Sequence, residues 1–225
     1  MKIKEPFSAI SHAIGAILAV LALILLIRES IDPIKPWHIA TFSVFGTGMF
    51  LLYTASAIYH WLPVSPKIVK KLQTFDHAMI HVLIAATYTP VCLIPLRGAW
   101  GWSLFGLIWG LTLFGILLRI FWKNIPDWFS LTFYIFMGWL SVIAIWPMIQ
   151  TLQLGALVWI FIGGFFYTVG AIIHGLNKPN PIPKIFGAHE IFHVCVMLGS
   201  FATLCACTIT LHYLTNKKRI SCHNL

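Results

Sequence analysis

Seven stretches of roughly twenty mostly apolar residues divide this chain, at approximately residues 8–27, 38–60, 78–96, 100–121, 128–149, 155–175 and 188–213. A helix needs about 20 such residues to cross the hydrocarbon core of a bilayer. The breaks between the runs carry turn and helix-stopping residues: Asp32-Pro33, Pro63 to Pro66, Pro95 to Gly98, Asn124 to Asp127, Gln150 to Gly155, and the proline-spaced Asn177 to Pro183. Only 9% of the residues are charged and 59% are hydrophobic, whereas soluble domains carry about a quarter charged residues. Such a chain cannot cover itself with a polar surface. The pattern predicts an all-α fold: an integral membrane bundle of seven transmembrane helices, forming a single domain over residues 1–225.

The formal charge of +9 does not indicate a nucleic-acid partner, because the basic residues sit in short clusters between apolar runs and read as orientation signals. Nine fall on one side (Lys2, Lys4, Lys67, Lys70, Lys71, Arg119, Lys123, Lys178, Lys184) and six on the other (Arg28, Lys35, Arg97, Lys217, Lys218, Arg219). The imbalance predicts a cytoplasmic N-terminus and an outside C-terminus, although the basic tail pulls the other way. Trp37, Trp61, Trp100, Trp102 and Trp128 stand near the expected helix ends, as interfacial belts do. Cys92, Cys195, Cys205, Cys207 and Cys222 lack disulfide-scaffold spacing and read as small packing residues. The first apolar run lacks a clear small-residue cleavage site, so it is expected to stay as a span. The prolines at 179, 181 and 183 predict an extended, stiff connection into the last helix.

With seven spans, the starts of odd helices and the ends of even helices share one membrane face. His12, Ser56, His60, Asp76, His77, His174, His189 and His193 all fall there, with Asp76 and His77 opening the third helix after a short basic loop. Charged side chains cost about 2.5–3.5 kcal/mol each at the centre of a span. Any one of these residues can simply sit wet among the headgroups; a whole set gathered in one layer points to interior pairing or function. His38, His212 and His223 fall toward the opposite side.

His189 and His193 are four apart, and so are Ser56 and His60, so each pair shares a helix face. Three neutral imidazoles, His60, His189 and His193, with a fourth position left for water make an open tetrahedral zinc arrangement of the catalytic type. Asp76 could then orient that water and accept its proton, with Ser56 hydrogen-bonding one turn deeper. The string His189-Glu190-Ile191-Phe192-His193 also spells the zincin protease signature, with Glu190 as would-be base. No helix follows to supply that protease a third ligand, and an acidic residue in a helix's first turn is ordinary. His77 and His81 form a rival four-apart pair, with His81 rotated away from Asp76 and expected to pack. His12 and His174 are expected beside the metal or at lipid headgroups. The run Gly163-Gly164-Phe165-Phe166-Tyr167 reads as close helix packing.

The motifs Glu5-Pro6-x-Ser8-x-x-x-His12-x-x-Gly15, Ser56-x-x-x-His60, Asp76-His77, Thr87-Tyr88-Thr89-Pro90 and His189-x-x-x-His193, in this order on seven spans, resemble the hemolysin III family. That family is the bacterial branch of the progestin and adipoQ receptors, the adiponectin-receptor relatives. The resemblance covers nearly the whole chain. It implies a Zn2+ ion near the cytoplasmic helix ends, held by His60, His189 and His193, with Asp76 and Ser56 beside it as catalytic residues. It also implies a protein of the bacterial inner membrane that acts on a bilayer lipid as a ceramidase-like hydrolase of an amide or ester. The rivals are a zinc-stabilised receptor or membrane-homeostasis sensor without catalysis, a cytolysin, and an intramembrane metalloprotease. His81 and Glu190 match nothing in the family pattern.

Overall fold

The computed structural model describes residues 3–122, 125–183 and 185–223, with side chains through residue 215. Lys2, Lys123 and Lys184 lie outside the described residues, as do the side chains of Lys217, Lys218, Arg219, Cys222 and His223. Helices α1 (Pro6–Ile31), α2 (Pro36–Trp61) and α3 (Pro66–Leu93) each begin on a proline. Its fixed φ suits the first helical position, where no N–H is needed. Then come α4 (Ala99–Phe121), α5 (Asp127–Trp139), a 3-10 segment (Leu140–Ala144), α6 (Ile145–Thr151), α7 (Leu154–Leu176) and α8 (Ala188–His223).

Among the described residues, six helical stretches are long and apolar enough to cross a membrane, counting Asp127–Thr151 as one. Large apolar side chains such as Ile17, Leu113 and Phe165 point outward and are more than half exposed. Such a surface belongs in lipid. The protein is a multi-pass helical membrane bundle.

Three expectations need correction. The third helix starts at Pro66 rather than near residue 78, so Lys67, Lys70 and Lys71 lie on the exposed side of its first turns, not in a loop. Lysine, leucine and glutamine are good helix formers, and only the span itself needs to be apolar. Asp76 therefore sits three turns into α3. Second, the fifth apolar run is interrupted. Pro147 has no N–H for the Ile143 carbonyl, and the chain tightens into the 3-10 segment just before it. The Tyr88 hydroxyl secures this break, reaching the carbonyls of Met137 and Gly138 and accepting from the Ser141 N–H at 2.9 Å. Third, the proline-spaced connection is a compact turn rather than an extended strap. Ile182 and Phe186 exchange backbone hydrogen bonds of 3.0 and 2.8 Å, and the Asn180 side chain bonds the Asn177 carbonyl and the Ala188 N–H. Left-handed Asn177 (φ 51°) ends α7 and turns the chain back.

Two buried clusters form the core. One joins α1, α2, α3 and α8 through residues such as Phe45, Leu83 and Val196; the other joins α3 to α8 through Ile108, Met137 and Ala206. Helices α3 and α8 belong to both and stand at the centre. α7 lies close against α8, where a Cβ at Gly170 would meet the Cβ of Cys195 at 2.6 Å. Gly170→Leu is therefore expected to destabilise the bundle by about 2 kcal/mol or more. The check is the thermal unfolding midpoint of the purified protein in detergent; an unchanged midpoint contradicts this packing.

Candidate metal centre

The last turn of α2 and the first turns of α8 meet at one end of the bundle. His60 comes from α2, and His189 and His193 come from one face of α8, four residues apart. His60 and His193 are buried, at 1% and 2% exposure, and His189 is half-buried. The rings meet through the same atom: Nε2 of His189 lies 3.3 Å from Nε2 of His60 and 3.1 Å from Nε2 of His193. The potential ligand atoms of all three lie within 4.8 Å of one another. An ion held at about 2.0–2.1 Å by each nitrogen in a tetrahedron sets nitrogen–nitrogen edges of about 3.3–3.4 Å. The observed spacings fit such an ion. Three imidazole lone pairs turned toward one point are poorly satisfied by hydrogen bonds among themselves, and a divalent cation satisfies all of them. These residues can hold a metal ion.

Two carboxylates flank the triad. Glu5, just ahead of α1, hydrogen-bonds Nδ1 of His60 through Oε2, and its own N–H donates to the His60 carbonyl at 3.0 Å. Its hydrogen bond with the His60 ring, assisted by the neighbouring Lys4 ammonium, holds the Glu5 carboxyl down at about 2 against the opposing effect of its partial burial. Asp76 is buried on α3, with the Ser56 hydroxyl as its hydrogen-bonding neighbour and Arg119 bordering the same cavity. Ser56 lies one turn below His60 on α2, 2% exposed. All five residues expected at the site are thus brought to one end of the bundle.

A family model for haemolysin-III related proteins matches residues 1–204. The chain belongs to the haemolysin-III family. It is 40% identical over 197 residues to Hemolysin-3 of Bacillus cereus, covering 88% of this chain and 87% of that protein. It is also 38% identical over 199 residues to the Hemolysin-3 homolog of Bacillus subtilis (strain 168), covering 88% and 90%.

In this haemolysin-III chain the other polar residues of the layer divide into distinct groups. His12 is buried and stacked on His193, with ring centroids 3.9 Å apart at 26°. His174, near the end of α7, approaches His189 at 5.1 Å. His77 takes a hydrogen bond from Arg119 on its Nδ1 and stands apart from the triad. His81 bonds the His77 carbonyl at 3.2 Å and packs against Phe133 and Tyr134. Both carboxylate oxygens of Glu190 are engaged in hydrogen bonds. Its Oε2 accepts from the Gly187 N–H at 2.9 Å, closing the first turn of α8, and its Oε1 accepts from the Ser8 hydroxyl at 3.2 Å.

Sequence reasoning gave no role to Glu5 or Arg119. The spacing of Glu5, Ser8 and His12, which repeats every three to four residues, was the available signal for the first. In the sequence Arg119 reads only as an orientation charge. It borders, with Asp76, His174 and His189, a cavity of about 190 Å3 whose lower walls are apolar, including Leu104, Met148 and Ile160.

Proposed function

We propose that this protein is a seven-span zinc hydrolase that cleaves an amide or ester bond of a bilayer lipid, ceramide being the type of substrate. The observation that carries this reading is the three imidazole Nε2 atoms meeting beside a buried carboxylate at the polar end of an apolar cavity. Bound by His60, His189 and His193, Zn2+ supplies a Lewis acid that activates water and polarises a carbonyl. The apolar walls hold an acyl chain, entered laterally from the bilayer, and set its carbonyl at the polar end. Asp76, steadied by Ser56, takes a proton from the attacking water and returns it to the leaving nitrogen or oxygen, giving a fatty acid and an amine or alcohol. Burial among helices limits competing water and strengthens every charge interaction at the reacting carbon.

The seventh span is α3. It runs antiparallel to α4 along its length: His77 meets Arg119, Thr112 Oγ1 donates to the His81 carbonyl at 3.2 Å, Trp109 Nε1 donates to Thr89 Oγ1 at 3.2 Å, and Gly101 lies against the Cys92 carbonyl. A helix alongside α4 over four such contacts crosses the same thickness. All seven spans form one domain, placed in the bacterial inner membrane with the N-terminus and the metal end cytoplasmic.

Purified protein tests this reading directly. Zinc near one per chain by elemental analysis, together with release of fatty acid from N-acyl or O-acyl lipids in mixed micelles, supports it. Zinc without turnover of any such lipid favours a zinc-stabilised sensor, and no zinc sinks both. Glu190→Gln separates the hydrolase from the protease reading. With one carboxylate oxygen closing the first turn of α8 and the other bonded to Ser8 of α1, this variant is expected to keep its zinc and stay within about threefold of normal turnover, whereas removing a general base costs about 10²–10⁴-fold. Inactivation with zinc retained would restore Glu190 as the base.

A further inference from the structure

α1 is an apolar helix whose N-cap and first turns carry Glu5, Ser8 and His12, spaced by three and four so that they fall toward one side. Ser8 and His12 are 0% and 3% exposed. Each of the three touches a different part of the metal centre. The Glu5 carboxylate bonds Nδ1 of His60 from behind, leaving Nε2 toward the other imidazoles. The Ser8 hydroxyl donates to Glu190 at 3.2 Å, and the other oxygen of Glu190 closes the turn of α8 that carries His189. The His12 ring lies flat on His193, and its far side meets Tyr53 edge-on at 5.1 Å. Tyr53 is fixed in turn by a 2.7 Å bond to Ser200.

We infer that Glu5, Ser8 and His12 are positioning residues which hold the three ligand histidines, Glu5 and Ser8 from outside the cavity and His12 from its wall. This rests on the zinc reading above. The physical need is clear. A ligand imidazole must present one nitrogen unprotonated at a fixed angle, and a carboxylate on the other nitrogen sets both the tautomer and the ring orientation. His60 receives that carboxylate. His193 does not: its buried Nδ1 has no hydrogen-bond partner among the described residues, and neither do the nitrogens of His12. His193 is held by ring packing instead. The first turns of α1 thus do for α2 and α8 what neither helix does for itself, and this accounts for polar residues at depth in an otherwise apolar helix.

The test is a chelator-competition titration of Zn2+ on the purified full chain, with the visible spectrum of the Co2+-substituted protein recorded in parallel. Glu5→Gln keeps the shape of the side chain but not its charge, and is expected to weaken binding about 10–100-fold and shift the Co2+ bands. Glu5→Asp should recover part of the affinity, and His12→Ala should weaken it too. The unfolding midpoint of metal-free Glu5→Gln should match that of the metal-free parent. Unchanged affinity and bands in Glu5→Gln overturn the inference. So does a metal-free midpoint that falls along with the affinity, since that marks Glu5 as a general structural residue. A parent protein that binds no metal fails in the first arm, before any variant is made, and refutes the zinc reading itself.

Discussion

His60→Ala is expected to leave the purified protein without stoichiometric metal and without lipid turnover. The two remaining imidazoles lie on a single helix, so the ion would lose its only link to α2 and its third donor. Losing an outer partner of a ligand costs roughly 10–100-fold in affinity; losing the donor itself must cost more. Stability supplies a second readout. An ion that binds only the folded chain stabilises it by about 4 kcal/mol when free metal stands at 1,000 times its dissociation constant. A strong chelator should therefore lower the unfolding midpoint of the parent protein and leave that of His60→Ala unmoved. The alanine also removes a ring that is buried at 1% exposure, so the variant should start from a lower midpoint. Zinc retained at one per chain in His60→Ala would remove the site from these residues altogether.

The parts of this architecture that were legible in the sequence are those written as long-period patterns. The apolar runs foretold where α4, α5, α7 and α8 begin to within about one residue, because lipid admits little else, although α8 continues past its apolar run to His223. The joining of His60 to His189, 129 positions away, and to His193 one turn further on, followed from two local facts, four-residue spacing and the parity of helix ends. What stayed hidden was set by single contacts. The start of α3 escaped because a helix emerging from a membrane need not be apolar, and its lysine-bearing turns look like a loop. The break at Leu140–Ala144 was signalled by Pro147, but its stabilisation depends on one hydroxyl, that of Tyr88, from a helix distant in sequence. Glu190 sits inside a protease signature and yet serves as a helix cap, a role visible only once Gly187 and Ser8 are seen on its oxygens. Glu5 stands in a motif with no evident task, since nothing local to residue 5 announces that His60 lies behind it.

Asp76→Asn is expected to separate chemistry from metal binding. Asn is nearly the same size as Asp, keeps an oxygen that can accept from Ser56, and leaves His60, His189 and His193 untouched, so zinc content should stay near that of the parent. Turnover should fall about 10²–10⁴-fold, the range for losing a general base, equivalent to roughly 2.7–5.4 kcal/mol of transition-state stabilisation. Ser56→Ala should fall much less, because it removes only a hydrogen bond that steadies the base. The position of Asp76, three turns into α3 and buried beside the triad rather than at the helix entrance, makes the contrast sharp. A carboxylate at the surface could be replaced by water, but at this buried position His77 is already bonded by Arg119, which leaves His12 and His174 on the cavity wall as the other bases. Full turnover in Asp76→Asn would transfer the base to another residue. Loss of both zinc and turnover would make Asp76 a metal ligand, and the roles assigned to α3 would have to be redrawn around a four-residue site.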